Sequence, residues 1–110
     1  MTSFNSWLDM QPADDGGVHL TPREEHQAAP DVVHFAVLTT LAEVSAAHAV
    51  GAPVVPSTVT VHLLRRARLA PLVGRGTILR RGRKQAVVEG TVTQDGELVA
   101  KATVQFVLLG

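Results

Sequence analysis

The chain has 110 residues, 45% of them hydrophobic, and no cysteine. That is the length of one domain with enough apolar side chains for a core, and it excludes disulfides, thiolate metal sites and a cysteine nucleophile. Ten basic residues balance ten acidic ones, and only three Phe and one Trp are present, so no nucleic-acid partner is expected.

Residues 1–10 carry no basic start and no apolar run, so no secretory leader is read there and a cytoplasmic location is expected. Ser3 is placed to cap a short helix, in which Phe4, Trp7 and Leu8 share one face that docks on the body. Residues 11–17 read as turn, with Pro12, Asp14, Asp15, Gly16 and Gly17. A short strand over 18–22 and a polar loop over 23–30 follow.

Asp31 precedes a run free of Gly and Pro. This predicts a helix over 32–50, capped by Asp31 and closed by Gly51. The helix is apolar nearly all round, so it is expected to be buried on several sides, and Ala42, Ala46, Ala47 and Ala49 let other backbone come close. Glu43 in its middle argues for a buried soluble helix rather than a membrane span, and no membrane partner is expected.

Beyond Pro53 and Pro56 the period changes to two. Strands are predicted over 59–64, 77–81, 85–93 and 97–109, with 68–76 as a connection containing Pro71 and Gly74 and Asp95-Gly96 as a hairpin turn. In the last strand Leu98, Ala100, Ala102, Val104, Phe106 and Leu108 face one way. One helix followed by hairpin-linked strands predicts an α+β domain, an antiparallel sheet packed on a central helix. A single helix covers one sheet face and the last strand leaves an edge, so self-association as a dimer or tetramer is expected.

Three stretches resemble the hotdog-fold thioesterases, above all the PaaI-like and hydroxybenzoyl-CoA thioesterase group. They are VVHFAVLTTLAEVSAAHAV, similar to the family's opening helix; TVTVHLLRRAR, similar to its strand ending in a basic turn; and ILRRGRKQAVVEGTVTQDGELVAKATVQF, similar to its last three strands. The resemblance covers about two-thirds of the chain. It implies a single hotdog domain over 1–110, with 31–110 as the core and 1–30 as helix, short strand and loop. It also implies acyl-CoA as the small-molecule partner, hydrolysis to a free acid and CoA, and active sites at a dimer interface.

Glu43 is the first candidate, because an ionised carboxylate among apolar side chains is costly unless paired or reachable by water. The resemblance gives it the catalytic place, as general base or nucleophile; a structural carboxylate is the other reading. The resemblance also implies a helix-end oxyanion hole, here the Phe35 N–H beside His34. His34 itself is as readily structural. Ala28, Phe35 and Ala36 stand where relatives carry an amide side chain and glycines, which leaves room for a protein that binds an acyl ligand without cleaving it; His26 or Gln27 is a possible substitute. A dehydratase of the same fold would want a His with an acid, and no such pair is evident.

Thr39 and Thr40, on the Glu43 side, either bond that carboxylate or their own helix. Ser45 and His48 form no triad. His19, His26, His34, His48 and His62 show no metal spacing, so neither metal nor cofactor is expected. Eight of the ten basic residues lie in 65–84, a span without an acid. This reads as a solvated face or as a phosphate site, with Arg80, Arg81, Arg83 and Lys84 the first candidates for CoA and Arg65, Arg66 and Arg68 the second.

Overall fold

The computed structural model describes residues 3–110. The Ser3 hydroxyl accepts the Ser6 N–H and starts helix α1, Phe4–Leu8. Leu8 is fully buried, whereas Phe4 and Trp7 stay 51% and 38% exposed. The docked face is therefore narrower than the spacing predicted, with the two rings left at its rim.

Strands β1, Gln11–Pro12, and β2, Val18–Leu20, pair across a turn. The predicted loop over 23–30 is more ordered than its polarity suggested. It holds a 3₁₀ turn, Glu24–His26, then β3, Gln27–Ala29, which pairs with β4, Val32–Val33. Asp31 lies between them with φ 56°, a left-handed conformation Asp tolerates in turns. Its carboxylate accepts the Leu69 N–H at 3.0 Å. It is thus not a helix cap. Helix α2, Phe35–Val50, begins three residues later than predicted, and its N-cap is His34, whose Nδ1 accepts the Ala36 N–H at 3.0 Å. Gly51, at φ 70°, closes it as expected.

Four long strands follow: β5, Val54–Leu63; β6, Leu72–Arg81; β7, Gln85–Gln94; and β8, Glu97–Leu108. Together with β1 and β2 they form one antiparallel sheet in the order β1-β2-β6-β7-β8-β5. β5 is an edge strand, which lets it absorb Pro56 beside a bulge and start earlier than predicted. The β7–β8 turn is the predicted Asp95-Gly96 hairpin, with φ of 51° and 78°.

β6 also begins earlier, at Leu72, and takes in Gly74 and Gly76. Their missing side chains had read as connection; in the fold they are where α2 lies on the sheet. Gly76 stands opposite Gly90, and Gly90 opposite Ala102. A Cβ on Gly90 would stand 2.2 Å from the Ala42 carbonyl oxygen, and one on Gly76 2.5 Å from that of Ser45. The small row lets α2 settle onto bare backbone.

The core lies between α2 and this face of the sheet, with Leu41, Ala42, Ala46, Val88, Val92, Val104 and Phe106 fully enclosed. A bulge opposite Val92 and Thr93 breaks the alternation predicted for β8, so Val99 is buried and Leu98 is 37% exposed. The opposite face is mixed, with Thr91, Thr93, Thr103 and a Lys101–Glu89 ion pair at 3.3 Å beside Val55, Val73, Val87 and Val107. The last strand, β8, is not the edge that was expected: it lies between β7 and β5, and β5 is left as an open edge of the sheet. Among the described residues no helix is long and apolar enough to cross a membrane.

Candidate functional site

Glu43 sits half-buried in the middle of α2. Helical spacing puts Ala36, Thr39, Thr40 and Ala47 on the same face, so the carboxylate stands on a strip of short side chains. Among the described residues it has neither a hydrogen-bond nor an ion-pair partner, and burial alone pushes its pKa above the ordinary 4.5. The threonine hydroxyls are turned to the helix itself: Thr39 donates to the Phe35 carbonyl at 2.9 Å and Thr40 to that of Ala36 at 2.7 Å. Ser45 likewise donates to Leu41 O at 2.6 Å, and His48 is exposed. Neither comes near a nucleophile–base arrangement.

At the N-terminus of α2 the Phe35 N–H occupies the first helical position and has no acceptor among the described residues. That leaves a donor at the positive end of a 16-residue helix. Phe35 is 57% exposed, and its ring stacks on that of the His34 cap with centroids 4.7 Å apart. His34 donates its N–H to the His26 carbonyl at 2.9 Å. His26 is 1% exposed, and burial, then the Arg23 charge, lower its pKa from the ordinary 6.5. A cavity of about 210 Å³ opens here, lined by Phe4, Trp7, His26, His34 and Ala36 among others. Ala28 is exposed on β3, and the Gln27 side chain accepts the Asp31 N–H at 3.1 Å.

Phe35 and Glu43 are eight residues apart, about 12 Å along the axis and roughly 80° around it. Both would have to approach within about 3 Å of one reacting carbonyl. A single chain does not bring them together. His34 lies on the side of α2 opposite Glu43, by the same helical count.

The basic candidates separate. Arg80, Arg83 and Lys84 line a cavity of about 700 Å³ at the β6–β7 turn, with no acidic partner among the described residues. Arg81 points the other way and donates to Val50 O at 2.8 Å, a cation at the negative end of α2. Arg65 pairs with Glu97 at 2.6 Å and Arg68 with Asp95 at 2.8 Å. The β6–β7 turn therefore lies at the C-terminal end of α2, roughly 24 Å from the Phe35 N–H. No group of three or more His, Asp or Glu suited to a metal occurs among the described residues.

Sequence reading missed Gln94. It is 7% exposed, and its amide makes three hydrogen bonds with residues 68–70. Its position one residue before the hairpin gave no signal, because in a regular strand it reads as one more polar alternate.

A family model described as the acyl-CoA thioesterase N-terminal domain matches residues 23–107. No curated protein matches the chain. Among solved structures, a Bacillus halodurans protein crystallised with CoA is 26% identical, with a TM-score of 0.87 over 99% of this chain and 77% of its own. A Ralstonia eutropha protein described as a putative thioesterase, phenylacetic acid degradation-related, is 25% identical, with a TM-score of 0.82 over 94% of this chain and 87% of its own. The Escherichia coli PaaI protein, from the phenylacetic acid degradation operon, shares the fold at 20% identity, with a TM-score of 0.86 over 96% of this chain and 83% of its own.

Proposed function

The chain belongs to the acyl-CoA thioesterase domain family and has the hotdog fold, and on that premise we propose that it hydrolyses an acyl-CoA thioester to a carboxylic acid and free CoA. The observation that carries this reading is Glu43, half-buried without a partner, its pKa raised by burial. A raised pKa makes the carboxylate a stronger base and moves it toward neutral pH, which suits a general base. In that role Glu43 takes a proton from water as the water oxygen bonds to the thioester carbon. The developing oxyanion is held by a helix-end N–H such as that of Phe35. The intermediate collapses by breaking the C–S bond, and the protonated Glu43 returns its proton to the departing thiolate. Direct attack by Glu43 on the carbonyl, through an anhydride that water then opens, is the variant route.

The separation of Phe35 from Glu43 within one chain leads to a site shared by two copies. Glu43 of one would face the helix N-terminus of the other. The exposed β5 edge is available for joining two sheets, and the unpaired Arg80, Arg83 and Lys84 would meet CoA phosphates. The support for CoA is these cations together with the CoA present in the Bacillus halodurans neighbour's structure.

Ala28 and the Phe35 side chain favour a second reading, an acyl-CoA binding protein without hydrolysis, because alanine cannot orient a water and the ring narrows access to the N–H. A panel of acyl-CoAs followed by thiol release separates the two. Hydrolysis predicts thiol release by the wild type, reduced at least about 100-fold in Glu43→Gln. Equal activity in Glu43→Gln would overturn the mechanism. Tight binding of acyl-CoA with no thiol release would establish the second reading.

A further inference from the structure

We infer that Gln94, a residue remote from the helix in sequence, is a positioning residue for the N-terminus of α2; its consequence for catalysis rests on the thioesterase reading above. The side chain lies at the end of β7. Its Oε1 accepts the Arg68 N–H at 2.9 Å, and its Nε2 donates to Arg68 O at 2.9 Å and Ala70 O at 3.0 Å. Both amide hydrogens are engaged, so one buried side chain fixes both polar groups of Arg68 and the Ala70 carbonyl.

The held segment in turn grips the residues that lead into α2. The Leu69 N–H donates to Asp31 Oδ1 at 3.0 Å, and the Ala67 carbonyl accepts the Val33 N–H at 2.9 Å. Val33 adjoins the His34 cap and Asp31 stands three residues before it. On its other side this stretch is anchored to residues 26–29, by the β3–β4 pairing, the Asp31 N–H to Gln27 Oε1 bond at 3.1 Å and the His34 N–H to His26 O bond at 2.9 Å. The place of the Phe35 N–H is therefore set from two sides, residues 26–29 and residues 67–70, and Gln94 holds the second.

Without Gln94 the 68–70 segment loses three bonds, and the Asp31 and Val33 anchors are left on a loop held only by the buried Ala67 and the exposed Arg68–Asp95 pair. The donor at the helix end then spreads over several positions. An oxyanion donor acts by being in place before charge develops, so loosening it lowers kcat and leaves ground-state binding, and so KM, almost unchanged. A merely structural Gln94 would lower thermal stability and leave kcat intact well below the melting range.

The test compares Gln94→Leu, close in volume and unable to make any of the three bonds, with the wild type. Amide hydrogen exchange at Leu69 and Val33 should speed at least tenfold relative to amides in the centre of β7 and β8, and kcat for thiol release should fall about tenfold at constant KM. Asp31→Gly, which keeps the left-handed turn and removes the carboxylate, should lower kcat non-additively with Gln94→Leu. The inference is overturned if exchange at Leu69 and Val33 rises only in step with the strand amides, or if kcat is unchanged while they open. A wild-type protein that releases no thiol would refute the thioesterase reading alone, and the exchange pattern would still decide the role of Gln94.

Discussion

Replacing Gly90 by alanine probes the contact on which the helix–sheet packing depends. The new Cβ would stand 2.2 Å from Ala42 O and 2.9 Å from its carbonyl carbon, against 3.4 Å or more for ordinary contact. The shortfall is 3.4 − 2.2 = 1.2 Å. The obstacle is helix backbone rather than a side chain that can rotate away, so α2 or β7 must shift as a body. Overpacking of this kind costs about 3 kcal/mol, the upper part of the usual range. At roughly 4 °C per kcal/mol for a domain of this size, that lowers Tm by about 12 °C. Glu43 follows Ala42 directly, and a shift of about 1 Å at a reacting group can cost on the order of 100-fold in rate. Thermal unfolding by circular dichroism and thiol release near 20 °C read the two effects. Gly82→Ala is the control for melting, because its Cβ would meet only Gln85 O at 3.4 Å. A Gly90→Ala protein melting within about 2 °C of wild type would refute this account of the packing.

Glu43→Gln should raise stability while it removes activity. Because the folded pKa is raised, charging Glu43 opposes folding above the unfolded value of 4.5. The Tm gain should thus be clear near pH 8 and vanish below about pH 4, followed by calorimetry across that range. His26 gives a slope of the opposite sign, with stability rising as pH rises. Its pKa is lowered from 6.5 by burial and by Arg23, so the unfolded chain takes the proton first. Stability should be full above 6.5 and fall as pH drops toward the folded value. His26→Asn should flatten that slope in chemical denaturation from about pH 7.5 to 5. Arg83→Ala combined with Lys84→Ala should raise KM for acyl-CoA roughly tenfold with kcat little changed, and the difference should shrink as salt is added; a loss confined to kcat would remove these residues from phosphate binding.

Much of the fold was legible because its signals are local. Ser3 acts through a hydroxyl that reaches three residues on, Gly51 and Asp95-Gly96 act through their own backbone conformations, and the alternation of β7 and most of β8 reflects one buried face. The misplaced boundaries have a common cause in tertiary contacts. Asp31 looked like a helix cap until Leu69, far along the chain, engaged its carboxylate. Gly74 and Gly76 looked like a loop until α2 lay across them. At the site, the isolation of Glu43 in an apolar helix was readable, since no neighbour in sequence could pair with it. The diversion of Arg81 to Val50 O, and the role of Gln94, depend on pairings between strands and loops that residue order does not display.

A site shared between two chains is tested most directly by mixing two inactive proteins. Phe35→Pro removes the N–H at a first helical position, where proline is well tolerated, and Glu43→Gln removes the base. In a mixed dimer one of the two sites receives the defective halves and the other receives neither. Equal, randomly exchanged chains should then regain about a quarter of wild-type thiol release, since half the dimers are mixed and each has one intact site. A mixture no more active than its parents, with chain exchange verified by mass, would contradict the shared site and the catalytic pairing of Glu43 with the helix end.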